Sequence, residues 1–227
     1  MNNTIEKLKK KSNINFLIRI LISLIGVAFV GFGIAFNSAA MLGNDAVAII
    51  YDGIRNAFGF QLSELGMITN VVNYSIIIIA FILNKKYINI GTFIYTIPMG
   101  TFVGIGSKIH EYMHFSNILE SRILSSVLGC SMTFLGLGIF IAIDIGLDPF
   151  TSIHMIVRDA IKSQYKTARI ICDVTSVSLG FILGGKAGIV TVIAALIAGP
   201  SIQFASEFFK KLFALNIKLN NDDILEY

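Results

Sequence analysis

Tryptophan is absent from the 227 residues, cysteine occurs twice, proline and histidine three times each, and only 14% of the residues are charged. Each shortage excludes something. Ordinary soluble domains carry roughly 25% charged residues. A chain with 55% hydrophobic residues and a mean hydropathy of +0.76 cannot clothe a water-exposed surface, so it is an integral membrane protein. Without Trp, any aromatic belt at the membrane interface rests on the 7 Tyr and some of the 18 Phe. Cys130 and Cys172 lie inside apolar segments and read as small hydrophobes; no Cys/His spacing supports ligation, so neither a metal nor another cofactor is expected. No Walker loop, zinc-protease motif or Gly-x-Ser-x-Gly elbow is present, and an enzyme is not expected. The net charge of +4 sits largely on the flanks of apolar segments and does not indicate nucleic-acid binding.

What is present is a series of apolar runs. Residues 1–14 are basic, with Lys7, Lys9, Lys10 and Lys11, and lead into the run 15–36, long enough to cross a hydrocarbon core of about 30 Å. That run is too long for a signal-peptide core and lacks a small-residue cleavage site, so it reads as a retained first span. Further spans are expected at 65–83, 88–109, 123–145, 167–183 and 187–204, with Gly184-Gly185 as the turn between the last two. Two helical patterns, 45–58 and 149–163, are too short to cross.

The chain divides into halves of like order, each with three spans and a short helix after the first. Gly31 and Gly33 match Gly136 and Gly138. After a two-residue length difference Gly43, Asp45, Ile50, Arg55 and Ala57 match Gly146, Asp148, Ile153, Arg158 and Ala160. Asn70 and Asn73 fall opposite Asp173 and Ser176, and Ile90, Thr92 and Gly100 opposite Ile189, Thr191 and Gly199. With the N-terminus cytoplasmic, thirteen Lys and Arg fall on cytoplasmic segments and four, Arg55, Lys108, Arg122 and Lys186, on outer ones, with Arg19 counted in the first span. Basic flanks are retained on the cytoplasmic side. Three spans per half then make the duplication inverted.

The fold expected is an all-α membrane protein: six transmembrane helices plus two short re-entrant or interfacial helices, in two inverted three-helix repeats. Its parts are a cytoplasmic N-terminus (1–14), a first repeat (15–110), an outer connecting loop (111–122), a second repeat (123–208) and a cytoplasmic tail (209–227). Inverted repeats are the recurring architecture of secondary transporters, whose halves rock about a site near the midplane. The function expected is therefore movement of a small solute; a non-transporting scaffold or accessory protein, and a lipid-handling flippase or enzyme, are the alternatives. The partners expected are the bilayer and the solute, with homo-oligomerisation left open.

Gly-x-Gly-Ile early in the span, Gly146-Leu147-Asp148-Pro149-Phe150-Thr151, Arg169-Ile170-Ile171-Cys172-Asp173 and Gly199-Pro200-Ser201-Ile202-Gln203 together resemble the bacterial YczE/YitT-type membrane proteins. The resemblance covers residues 15–208, more closely in the second half; Asn44-Asp45-Ala46 departs from the family's Gly-x-x-Pro/Asp-type segment. It implies a six-span transporter-like protein of the bacterial cytoplasmic membrane, here in the short form without an extra C-terminal domain.

Candidate pathway residues follow from position. Asp148, before Pro149, reads as a helix N-cap with Asp45 as its counterpart. Either the two carboxylates only satisfy free N–H groups, or the helix starts dip into the protein and face a cavity. By the charge count they lie toward opposite faces, as equivalent gates or caps. Thr151 and His154 follow in the same helix, and His154 could titrate near neutral pH. Asp173 falls within a span, where a charge is costly unless paired or wetted, and Arg169 sits one turn before it. Asn70 and Asn73, with Asp173 and Ser176 opposite, are either interhelical glue or the solute site. Pro98 and Pro200 are either packing kinks or hinges.

Overall fold

The computed structural model describes residues 16–115 and 118–222; the expected basic N-terminus and the last residues of the tail lie outside them. Among the described residues there are eight α-helices and no strand. They are α1 (Phe16–Ala40), α2 (Ala46–Ala57), α3 (Leu65–Asn84), α4 (Ile90–Tyr112), α5 (Leu119–Ile143), α6 (Pro149–Ala160), α7 (Tyr165–Ile182) and α8 (Ile189–Asp222). Single 3₁₀ turns, Leu62–Glu64 and Lys85–Tyr87, flank α3.

Burial is distributed as a bilayer demands. Ile78, Ile79 and Ile82 of α3 and Leu196 and Phe204 of α8 are exposed, while Ser23, Thr69, Asn73 and Thr92 are buried. With no water to solvate them, hydroxyls and amides turn inward and aliphatic side chains face lipid. Five helices, α1, α3, α4, α5 and α8, are long and apolar enough to cross. The segment expected as a further span, α7, has 18 residues and carries Lys166, Arg169 and Asp173, which make it less apolar than the other five.

The central crossing is α1 on α5. Small residues let the backbones touch: a Cβ on Gly26 would lie 2.8 Å from the Gly136 carbonyl oxygen, and one on Gly33 2.5 Å from that of Gly129. The order of these contacts makes the two helices antiparallel. Each also closes the other's C-terminus, where carbonyls lack partners. Arg19 of α1 donates to the carbonyls of Ile143 and Asp144, both at 2.8 Å, and Arg122 of α5 donates to those of Ala40 (2.8 Å) and Met41 (2.9 Å). Met41 and Asp144 both take the left-handed conformation, with φ of 55° and 51°, that ends a helix sharply. Around this pair α4 packs on α1 and α8 on α5, while α2 lies on α7 and α6 on α3.

The first and last elements differ from expectation. The polar stretch after residue 36 stays helical to Ala40, its carbonyls capped by Arg122. The helix of the last expected span, 187–204, runs on to Asp222. No Gly or Pro follows Pro200 to stop it, the Gln203 amide bonds Glu207 one turn on at 2.9 Å, and Phe209 stacks on Phe213 at 5.9 Å.

Candidate functional site

Both short helices begin as the sequence implies. Asp45 Oδ1 accepts from the N–H groups of Val47 (3.0 Å) and Ala48 (3.2 Å), and Asp148 Oδ1 from that of Thr151 (3.0 Å), with Pro149 at the first helical position. The turns before them need glycine. Gly43 (φ +106°) lies against Gly188 and Thr191 at the start of α8, and Gly146 (φ +155°) against Asn89 and Gly91 at the start of α4. Each turn is thus pinned by a helix of the opposite half, and the Asn44 N–H donates to the Thr191 hydroxyl at 3.2 Å.

The two short helices touch: the Tyr51 ring of α2 meets the Phe150 ring of α6 edge to face, with centroids 6.2 Å apart.

Most of the remaining candidates lie on or against these two helices. The Tyr51 hydroxyl donates to Asn73 Oδ1 at 2.7 Å. His154, 6% exposed, has Nε2 3.9 Å from Asp173 Oδ1, and Arg169 Nε lies 3.5 Å from Asp173 Oδ2. The Tyr165 ring meets that of His154 edge to face at 6.1 Å, Thr151 is half-buried one turn before His154, and Ser176 is half-buried one turn beyond Asp173. Asn70 is spent on packing: its Oδ1 accepts from the Gly100 N–H at 2.9 Å, two residues past Pro98. Pro98 and Pro200 both stay inside continuous helices.

The most developed polar site lies elsewhere, around Asp52, which is 6% exposed. Its Oδ2 accepts from the Ser38 hydroxyl (2.9 Å) and the Asn44 amide (3.5 Å), and Arg55 Nε stands 3.5 Å from its Oδ1. The Asn44 amide also donates to Ser38 at 3.0 Å. A cavity of about 140 Å³ opens over this network, lined further by Asn37, Met41, Gly43, Asn56 and Lys186. The signal in the sequence is an acid three residues before Arg55 in the first of the two short helical patterns.

At the far end of α6 three side chains are tied together. Tyr87 donates to Asp159 Oδ2, and Arg158 reaches both the Tyr87 hydroxyl (3.0 Å) and Asp159 Oδ1 (2.6 Å). The Tyr87 hydroxyl first, and Arg158 after it, hold the Asp159 carboxyl below the ordinary carboxylate range. Ser152 ties the same corner by donating to the Tyr87 carbonyl at 3.0 Å.

Both cysteines are free and half-buried, and the Cys130 thiol points to Asn37 Oδ1. Among the described residues no three His, Cys, Asp or Glu side chains gather closely enough to hold a metal ion.

Residues 17–207 match the model of a family of unknown function, DUF6198. An uncharacterized protein of Haemophilus influenzae is 22% identical over 193 residues, 85% of each chain. No solved structure matches.

Proposed function

The chain belongs to DUF6198, a family of unknown function, and we propose that it is a secondary transporter, moving a small solute across the bacterial cytoplasmic membrane by alternating access between two inverted repeats. In this reading it is a carrier and not a catalyst, α7 is the sixth span, both termini are cytoplasmic, and its partners are the bilayer and the solute. The resemblance to YczE/YitT-type proteins points the same way.

The repeat has support in side-chain geometry. The offset between Asp45 and Asp148 also takes Arg19 to Arg122, Gly26 to Gly129, Gly33 to Gly136 and Gly43 to Gly146. These pairs make equivalent contacts, and α1 and α5 run antiparallel as inverted equivalents must. No length difference is needed, so this register replaces the match of Gly31 and Gly33 to Gly136 and Gly138.

The observation that carries function is the inequality of the two ends. The same offset takes Arg55 and Asn56 to Arg158 and Asp159. The first pair borders an open polar cavity, and the second closes on Tyr87. Equivalent places, one open and one shut, are what a rocking pair of repeats presents in one of its two states. By the charge bias the open end faces outward.

Breaking the shut end tests this. In a chain with Cys130→Ala and Cys172→Ala, Asn56→Cys reports the open end to a membrane-impermeant maleimide. Adding Tyr87→Phe removes a hydrogen bond of roughly 1 kcal/mol and shifts the two-state ratio about fivefold toward the opposite state. Labelling at position 56 then slows. An unchanged rate would remove the coupling on which transport depends. A static scaffold, the reading favoured by the use of Asn70 in helix packing, predicts that unchanged rate.

A further inference from the structure

We infer that the cavity over Asp52 binds a small carboxylate-sized anion between Arg55 and Lys186. This deepens the transport reading and rests on it only for the ligand's passage; binding is a separate matter.

The argument is a count of committed charge. Asp52 is paired: Ser38 and Asn44 donate to Oδ2, and Arg55 Nε stands 3.5 Å from Oδ1 as an ion pair without a hydrogen bond. The one negative charge of the cavity is thus already offset by Arg55, whose own Nε is left without a hydrogen-bond partner. Arg55 is more than that one contact satisfies, because a guanidinium carries five N–H donors. Its Nη1 makes one long hydrogen bond, 3.5 Å to the Phe60 carbonyl. Lys186 lines the same space, and the contact of its ammonium is the Met41 sulfur at 3.5 Å, a weak acceptor. Two cations against one engaged acid leave the cavity with a surplus positive charge.

Size and polarity narrow the ligand. A cavity of about 140 Å³ has the room of four or five waters, at about 30 Å³ each, which suits an anion of two or three carbons. Asn56, on the cavity wall, is fixed by donating its amide to the Gly184 carbonyl at 2.7 Å, which leaves its side-chain oxygen as an acceptor for a hydroxyl on the ligand. Planar, two-oxygen recognition is what an arginine fork offers best.

The test is equilibrium binding of radiolabelled acetate to the purified full chain in detergent, at fixed ionic strength, with acetamide as the neutral isostere. The inference expects saturable binding that unlabelled acetate displaces and acetamide does not. Arg55→Gln and Lys186→Gln should each weaken it about tenfold or more, the loss of one charge-assisted hydrogen bond. Lys85→Gln, remote from the cavity, should leave it unchanged. If Arg55→Gln fails to fold because Asp52 loses its partner, Lys186→Gln, on an exposed turn, decides the matter. Absence of saturable binding, equal displacement by acetamide, or full affinity in Lys186→Gln overturns the inference. Binding failure beside intact alternation of access would remove the ligand class and leave transport standing; acetate bound without alternation would leave an anion site in a protein that does not transport.

Discussion

Arg19 and Arg122 do the same thing to each other's helix. Each stands near the start of its own helix and donates to the last carbonyls of the other, Arg19 to Ile143 and Asp144, Arg122 to Ala40 and Met41. A cation at a helix C-terminus meets both unpaired carbonyls and the negative end of the helix dipole. The reciprocity closes the α1–α5 pair at both ends.

Reciprocal caps should cost the same to remove. Arg19→Ala and Arg122→Ala are each expected to destabilise the protein by about 1–3 kcal/mol, as loss of a charged hydrogen bond does. Thermal unfolding in detergent should show matched drops. A large drop for one with none for the other would break the equivalence.

The crossing should tolerate no added volume. Gly26→Val forces a side chain against the Gly136 carbonyl, an overpacking cost of about 1–3 kcal/mol or more. Gly104→Ala is the control, since a Cβ there meets nothing within 4 Å. The first variant should lose yield and melting temperature, and the second should match the parent.

The buried pair of Asp52 and Arg55 should be strongly coupled. Removing one partner leaves an uncompensated charge, at about 3–5 kcal/mol, whereas removing both relieves it. Asp52→Asn and Arg55→Gln together should therefore be less destabilising than the two single losses combined. A double-mutant cycle by thermal unfolding reads this directly, and simple additivity would contradict it.

Acid should undo the shut end. Because Tyr87 and Arg158 hold the Asp159 carboxyl below its ordinary value, its contribution is fully present above the unfolded-state value of about 3.9. It is lost as pH falls through the lower folded-state value. The difference in melting temperature between the parent and Asp159→Asn should be constant from neutral pH to about 5 and should shrink below about 4. A difference that persists at lower pH would show that the charge is not the cause.

Much of this architecture is legible in apolar periodicity and two turn signals. The runs mark α1, α3, α4 and α5 within a few residues, and the start of α8 but not its end; Asp148-Pro149 announces α6 with its cap. Other features turn on the partner of a single side chain. Asn70 had the chemistry of a binding residue, and only the position of Gly100 shows it holding a backbone N–H. Asp52 has no signature of its own in the sequence, because Ser38 and Asn44, which meet it, come from outside its helix. Arg19 was hidden inside an apolar run, because its partners lie more than a hundred residues away. The contact of Tyr51 with Phe150 joins two short helices almost a hundred residues apart, which no spacing records.

Access to Ser38 from each side of the membrane tests the central claim most directly. Ser38 is 5% exposed and lines the cavity over Asp52. With Cys130 and Cys172 replaced by alanine, Ser38→Cys should react with an impermeant maleimide in right-side-out vesicles and also in inverted ones. Tyr87→Phe should slow the first reaction and speed the second. Reaction from one side alone, at a rate indifferent to Tyr87, would contradict alternating access.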